Sequence, residues 1–457
     1  MTSARNRREF LKASAAIGVG AWIAGPDLLA AERSANEAIN IACIGVGGKG
    51  SSDTDQAENH GNLVALCDID DNTLAAKAVK FPKARKFNDF RRMLEDMERQ
   101  IDAVTVSTPD HTHATASIMA IRQGKHVYTQ KPLTFSVHEA RALREAAKQY
   151  GVCTQMGTQG SALDGFRTSI EVLRSGAIGP VREVHVWTDR CGNFWKQAPD
   201  IVARPTDKPA VPPHVHWDLF LGPAPERPYS PLYHPFAWRG WRDFGTGAVG
   251  DMACHLANMP FMALKLGYPS TVIAEHSEIN PETFQQWATI TYEFPSRENQ
   301  PQVKLVWWEG IRNGQRNLPP TELFHGIERP DNGILCIGEK GTLFTSHAQG
   351  GAYKLLPLAN FEGYKEPDKY LPRLGATDAN SDDSQKDEWI AACKAGKPSL
   401  ALCNFEHAGL LTEAVLLGNV AILAGKKIEW DGPNLKVANV PEANQYLRRE
   451  YRKGWAL

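Results

Sequence analysis

Residues 40–50, Asn-Ile-Ala-Cys-Ile-Gly-Val-Gly-Gly-Lys-Gly, decide the reading of the fold. Asn40–Ile44 is a short apolar run of the kind a buried parallel strand requires. It leads directly into Gly45-Val46-Gly47-Gly48-Lys49-Gly50, which satisfies G-x-G-x-x-G. A second apolar run, residues 63–67, ends in Asp68, eighteen residues beyond Gly50. A strand, a glycine loop, a helix, a strand and an acid in this register read as a dinucleotide site. Gly45 permits the tight turn and Gly47 a close approach of backbone to a pyrophosphate. Gly50 lets the next helix pack on the sheet, and that helix's first N–H groups, with Gly48 and Lys49 beside them, face the anion. A carboxylate at Asp68 accepts hydrogen bonds from the adenosine ribose and repels a 2′-phosphate. No arginine follows it to receive one, so NAD is expected and NADP disfavoured.

Outward from this stretch the alternation continues. Apolar runs at 103–106, 126–129 and 152–155 alternate with helical patterns over 113–123 and 136–150. Repeats of this length predict a parallel, doubly wound sheet, whose ligands sit at the carboxyl ends of the strands. Ser107, Thr108, Gln130, Lys131 and Gln159 fall near that crevice. After residue 160 the pattern changes to strands at 181–188, 271–275, 287–292, 303–308, 333–337 and 342–345, with few helices and long Pro/Trp-rich loops, notably 194–245. Helical patterns over 385–395 and 405–424 close this region, and a polar tail ends in Gly454-Trp455-Ala456-Leu457. The fold expected is α/β, a Rossmann domain over residues 38–160. It is followed over 161–457 by an α+β domain with a mainly antiparallel open sheet, for substrate binding and oligomerisation.

Composition agrees. Of 457 residues, 42% are hydrophobic, and 51 Lys+Arg stand against 52 Asp+Glu. A largely disordered chain is excluded, and the near-neutral balance speaks against a nucleic-acid-binding surface. The eight cysteines are scattered with no Cys-x-x-Cys pair, unlike a disulfide scaffold or zinc ribbon. His214-Val215-His216 would splay its imidazoles on a strand with no third ligand, so no metal is expected. Residues 1–31 read as an address. Arg7-Arg8-Glu9-Phe10-Leu11-Lys12 precedes a weakly apolar run of about twelve residues, too short to span a bilayer. Leu29-Ala30-Ala31 closes it as a cleavage site. The segment resembles a twin-arginine signal, which implies transport of the folded protein by that export machinery to the periplasm or another exported location. Its removal takes the formal net charge from −1 to −3.

The densest chemistry in the second half is Gly245-Thr246-Gly247-Ala248-Val249-Gly250-Asp251-Met252-Ala253-Cys254-His255. On a helix Asp251 and His255 share a face at i, i+4, a carboxylate and an imidazole suited to acid–base work. With the glycine loop, Ser107-Thr108-Pro109-Asp110-His111-Thr112-His113 and Lys131-Pro132, the chain resembles the Gfo/Idh/MocA family of sugar oxidoreductases from about residue 38 onward. That resemblance implies cofactor contacts from Ser107, Thr108, Pro109, His111, His113, Gln130, Lys131 and Gln159. It also implies catalytic and substrate-binding roles for Lys131, Asp251 and His255. Two departures stand out. The family's Glu-Lys-Pro is Gln130-Lys131-Pro132, which puts in doubt how Lys131 is held and would tend to lower its pKa. The family's second aspartate of Asp-x-x-x-His-x-x-Asp is Asn258.

His255 is the expected general base, since imidazole titrates near neutrality, with Asp251 orienting it or binding a neighbouring hydroxyl. Lys131 would polarise the reacting oxygen or relay a proton. Arg190, Trp195, Trp238 and Arg239, with Trp187 and Trp241, are candidates for sugar stacking and hydroxyl binding, each weighed against core packing. The expected function is NAD-dependent hydride transfer on a sugar or sugar derivative. With export, the cofactor would stay bound and be recycled within the protein. Redox-neutral glycoside hydrolysis, resembling the superfamily's NAD-dependent glycosidases, is the alternative, and a non-catalytic sugar-binding protein is a further one. A homo-oligomer is expected from the resemblance.

Overall fold

The computed structural model describes residues 38–193 and 203–457. The residues of the signal-like segment and Trp195 lie outside them. The first sheet has six parallel strands in the order β3-β2-β1-β4-β5-β6, running 3-2-1-4-5-6 as in dinucleotide-binding folds. They are β1 (Asn40–Ile44), β2 (Asn62–Cys67), β3 (Arg85–Phe87), β4 (Ala103–Val106), β5 (His126–Gln130) and β6 (Thr154–Gly157). The central strand β4 is buried throughout, as a strand covered on both faces must be. Five helices alternate with these strands: α1 (Lys49–His60), α2 (Asp71–Lys80), α3 (Phe90–Asp96), α4 (Asp110–Arg122) and α5 (Val137–Tyr150). Ser136 and Glu139 cap α5 reciprocally.

After α6 (Asp164–Arg174), the second sheet runs β14-β13-β12-β7-β10-β9-β8-β15-β16, with β11 (Gln315–Arg316) paired to β10. Its main strands are β7 (Val181–Thr188), β8 (Thr271–His276), β9 (Trp287–Phe294), β10 (Val303–Arg312), β12 (Gly333–Gly338) and β13 (Thr342–Thr345). The edges are β14 (Lys354–Leu356), β15 (Ile428–Asp431) and β16 (Lys436–Val437). Pairings are antiparallel except β7 with β10. Strict alternation along β9 buries Ala288, Ile290, Tyr292 and Phe294 on one face. Part of the opposite face is covered by the chain itself: Phe324 packs edge-on against Trp187, in a cluster with Leu335, Phe344 and Leu356.

Helix α7 (Gly247–Leu256) is buried along its whole length. Helices α8 (Ser381–Ala395) and α9 (Phe405–Ala424) were expected to close the second domain. They bridge the two domains instead: α8 packs against α1, and α9 lies between α5 of the first domain and α7 and β8 of the second. That position explains why α9 is buried along most of its length and shows no continuous polar face.

Candidate active site

The glycine loop is shaped by sterics. Gly45 has φ +78°, and its N–H donates to the Cys67 carbonyl at 2.8 Å. A Cβ at Gly45 would sit 2.7 Å from the Ser107 carbonyl oxygen, and one at Gly50 only 1.9 Å from that of Gly45. Both positions therefore require glycine for turn and helix packing, as read from the spacing. Gly47 differs: its Cβ would strike the Thr73 side chain at 2.8 Å, so its crowding comes from α2. Gly48, at the start of α1, faces open space. Asp68 closes the loop by accepting the Val46 N–H at 2.8 Å and the Asp70 N–H at 3.0 Å. Burial nevertheless leaves its carboxyl above the usual range.

A cavity of about 670 Å³ runs from Asn88, Asp89 and Phe90 past this loop to Asp251 and His255. Its wall includes Gly45, Gly47, Gly48, Lys49, Asp68, Ser107, Thr108, Pro109, Gln130, Lys131 and Gln159, and at the far end Arg190, Trp238 and Arg239. Residues as far apart in the chain as Gly45 and Trp455 thus meet at the carboxyl ends of the parallel strands. Gly50 lies behind the wall.

Several expected contacts are redirected. His111 is fully buried, its ring nitrogens facing the carbonyls of Phe220 (2.8 Å) and Phe244 (3.3 Å). His113 likewise faces Thr108 (2.8 Å) and Pro132 (2.7 Å). Neither ring lines the cavity; they tie the strand-end loops together. Burial lowers their pKa to about 3 and about 4. Lys49 reaches the wall, but its ammonium is committed to Asp53 at 2.7 Å and Asp382 at 3.0 Å. Trp187 and Trp241 are core residues whose indole N–H groups donate to Pro330 and Leu232. His214 and His216 face Asp70 (3.7 Å) and Asp71 (3.0 Å) separately, which clasps their loop to the start of α2. Asn258 is buried away from the cavity, its Oδ1 2.8 Å from His407 Nε2. The family departure at 258 therefore leaves the wall unchanged.

At the inner end Lys131 Nζ stands 2.6 Å from Asp251 Oδ1. This answers how Lys131 is held without an acid at 130: α7 supplies the carboxylate. Burial pushes the Asp251 carboxyl up, but Lys131 and Arg239 outweigh it and hold it below the usual range. No hydrogen bond joins Asp251 to His255 among the described residues, so the pair expected from i, i+4 spacing is replaced by Asp251 with Lys131. Burial and the Lys131 charge lower the His255 pKa to about 3, leaving a neutral imidazole on the wall.

Two acids were missed. Asp110, first residue of α4, is buried on the wall and accepts the Thr246 hydroxyl at 2.7 Å. Burial and the Asp251 charge raise its pKa to about 7. Its signal was its place just after Ser107-Thr108-Pro109. Asp53 on α1 is fully buried and accepts from Lys49 (2.7 Å), Lys386 (2.9 Å), Ser107 (2.8 Å) and Gln130 (2.9 Å). Burial opposes its charge, but Lys386 and Lys49 hold its carboxyl far below the usual range. Nothing local distinguishes it from a solvent-facing helix acid.

These residues fit a dinucleotide. The loop presents the start of α1 to open space at Gly48, Asp68 stands at the end of β2, and the buried Gln159 Oε1 lacks a partner among the described residues. Family descriptions match accordingly: "Oxidoreductase family, NAD-binding Rossmann fold" over residues 39–158 and "Oxidoreductase family, C-terminal alpha/beta domain" over 167–299. The chain belongs to the Gfo/Idh/MocA oxidoreductase family. Among curated Gfo/Idh/MocA-like relatives, levoglucosan dehydrogenase of Pseudarthrobacter phenanthrenivorans is 26% identical over 188 residues, 41% of this chain and 38% of that protein. The scyllo-inositol 2-dehydrogenase (NAD(+)) of Bacillus subtilis is 44% identical over 79 residues, 17% of this chain and 23% of that protein. The chain thus spans less than two fifths of the length of either. An inositol dehydrogenase homolog from Azotobacter vinelandii, solved with NADH and myo-inositol, shares the fold at TM-score 0.58 and 18% identity, over 87% of this chain and 99% of that one. The cofactor of this family fold is NAD.

Proposed function

We propose that the protein is an NAD-dependent oxidoreductase acting on a sugar or sugar derivative, with a cofactor that stays bound and is recycled. The observation that carries this is the Lys131–Asp251 ion pair at 2.6 Å, sharing one cavity with neutral His255 and the glycine loop. NAD, when bound, supplies a hydride acceptor. Lys131 donates a hydrogen bond to the oxygen of the reacting alcohol and favours its deprotonation, because charge developing there meets an ammonium already held in place by Asp251. His255, unprotonated at neutral pH, can take the hydroxyl proton at a ring nitrogen, but burial and the Lys131 charge make it a weaker base than a free imidazole. Asp251 keeps Lys131 aimed and accepts from a neighbouring hydroxyl. Trp238 and Arg239 form the outer wall against the sugar ring. The departures at 130 and 258 no longer favour a mere binder, since Gln130 is matched to Asp53 and Asn258 lies outside the cavity.

Residues 1–31 support export through the twin-arginine route, and a freely exchanging NAD has no soluble pool outside the cytoplasm. A closed redox cycle follows, in which a second sugar or the same molecule takes the hydride back. Redox-neutral glycoside cleavage is the second reading, and Asp110 favours it. A buried carboxyl that keeps its proton up to about pH 7 is a ready donor to a departing alcohol. A homo-oligomer built on the part of the second sheet that the described residues leave uncovered completes the proposal.

Purification of the mature protein without added cofactor, followed by denaturation and identification of released nucleotide, tests the reading. Near-stoichiometric NAD(H) is expected, with turnover of sugar pairs or glycosides that falls at least about 100-fold in Lys131→Met and His255→Ala. An empty protein that binds NAD weakly overturns the closed cycle. Sugar binding without turnover of either substrate class leaves only the binding protein.

A further inference from the structure

Residues 451–457 leave the second sheet and cross back to the first, where they are fastened at several points. The Tyr451 hydroxyl donates to Glu139 Oε1 at 2.7 Å. Arg452 donates from its backbone N–H to the Pro223 carbonyl at 3.2 Å and from Nε to Gly222 at 2.9 Å, and it pairs with Asp218. Arg91 holds the Gly454 carbonyl at 3.3 Å. This anchoring places the Trp455 indole on the wall of the cofactor cavity, beside Asn88, Asp89 and Phe90. Its ring lies 5.8 Å from that of Phe90, and the Arg91 guanidinium stands 4.1 Å from its centroid.

This end of the cavity is the adenosine end. In a 3-2-1-4-5-6 sheet the base and its ribose lie over the ends of β2 and β3, where Asp68 stands and Asn88 donates to the Asp68 carbonyl at 3.0 Å. A half-buried indole there, held by Phe90 and Arg91 on the cavity wall, matches a flat heteroaromatic base. Resting on the proposed resident NAD, we infer that Trp455 walls the adenine subsite and slows release of the dinucleotide. The tail thereby becomes part of the cofactor site, and the long-range anchors at Glu139, Asp218 and Arg91 become its supports. Stacking of a base on an aromatic side chain amounts to about 10- to 100-fold in affinity.

The test uses the mature chain stripped of nucleotide, with Trp455→Leu to remove the aromatic face while leaving an apolar side chain and Trp455→Phe to keep an aromatic one. Calorimetric titration with NAD, ADP-ribose and nicotinamide mononucleotide separates the two halves of the cofactor. Trp455→Leu is expected to weaken NAD and ADP-ribose alike by about 10-fold or more, with nicotinamide mononucleotide unchanged and Trp455→Phe within about 3-fold of wild type. If Trp455→Leu does not fold, a Trp455→Phe loss of NAD affinity above 10-fold with an unchanged melting temperature overturns a stacking role. Unaltered ADP-ribose affinity in Trp455→Leu, or an equal loss for nicotinamide mononucleotide, also overturns it. A wild-type protein that binds neither NAD nor ADP-ribose defeats the cofactor reading itself, a different outcome from a wild type that binds and a variant that binds equally.

Discussion

Gln130 stands where the family resemblance expects a glutamate, and its partner is Asp53. Gln130 Nε2 donates to Asp53 Oδ2 at 2.9 Å while two ammonium groups hold the other oxygen. A glutamate at 130 would set a second carboxylate against a fully buried one, with no further cation among the residues bonded to Asp53. Gln130→Glu is expected to lower stability at pH 7 by about 2–4 kcal/mol. The folded-state pKa of the new carboxyl would be raised, so the loss shrinks as pH falls and the group protonates; urea unfolding at pH 5 and pH 8 checks the sign. Asp110 gives the activity counterpart. Its pKa of about 7 lies above the unfolded carboxyl value, so its neutral form is favoured below pH 7 and its contribution to stability is lost as pH rises through that value. Where its proton is used, the rate falls on the alkaline side with an apparent pKa near 7. Asp110→Asn keeps a neutral partner for Thr246 but should erase that limb of the pH–rate profile. His255, with a pKa of about 3, adds no acid limb above pH 5.

Elements with strong local patterns were legible: β1, β4 and the alternating β9 follow from apolar runs and period-two burial. β3 was missed because Arg85-Lys86-Phe87 is a short, charged edge strand that carries no apolar run. Helix α4 begins at Asp110, not 113, since Pro109 fits just before a first turn and Asp110 complements it. Helix α8 begins at Ser381, four residues before its expected start, and that first turn carries Asp382, which meets Lys49. One turn later Lys386, 1% exposed, reaches Asp53 at 2.9 Å. Lys386→Met should cost about 3–5 kcal/mol by leaving the carboxylate under-compensated. Adding Asp53→Asn should recover much of it. A double-mutant cycle of denaturant midpoints measures that coupling, and additive losses would mean that α8 docks independently of the site.

On the scale of the molecule, both halves of the chain build one cavity, and the last elements of the second return to brace the first. The part of the second sheet left uncovered by the described residues presents Ile273, 45% exposed, opposite Thr291 on the neighbouring strand. Ile273→Lys should shift the sedimentation of the proposed oligomer toward the monomer without lowering its melting temperature. An unchanged assembly would place the interface elsewhere. By itself the sequence determined the parallel dinucleotide fold and the glycine loop, and it set Lys131 and Gln159 at the strand ends, because strand period, turn sterics and strand-end placement are local consequences of residue type. Asp251 was grouped with Lys131 only through the family resemblance. Only the tertiary structure decided that Asp251 holds Lys131 in preference to His255, that His111 and His113 are braces, and that Asp53, Gln130 and Lys386 belong together. It also decided that Trp455 stands in the cofactor cavity. For Asp53 with Gln130 and Lys386 these are choices of partner across 77 and 333 residues of chain. Burial and competition among distant groups settle them, and neither leaves a periodic mark on the sequence.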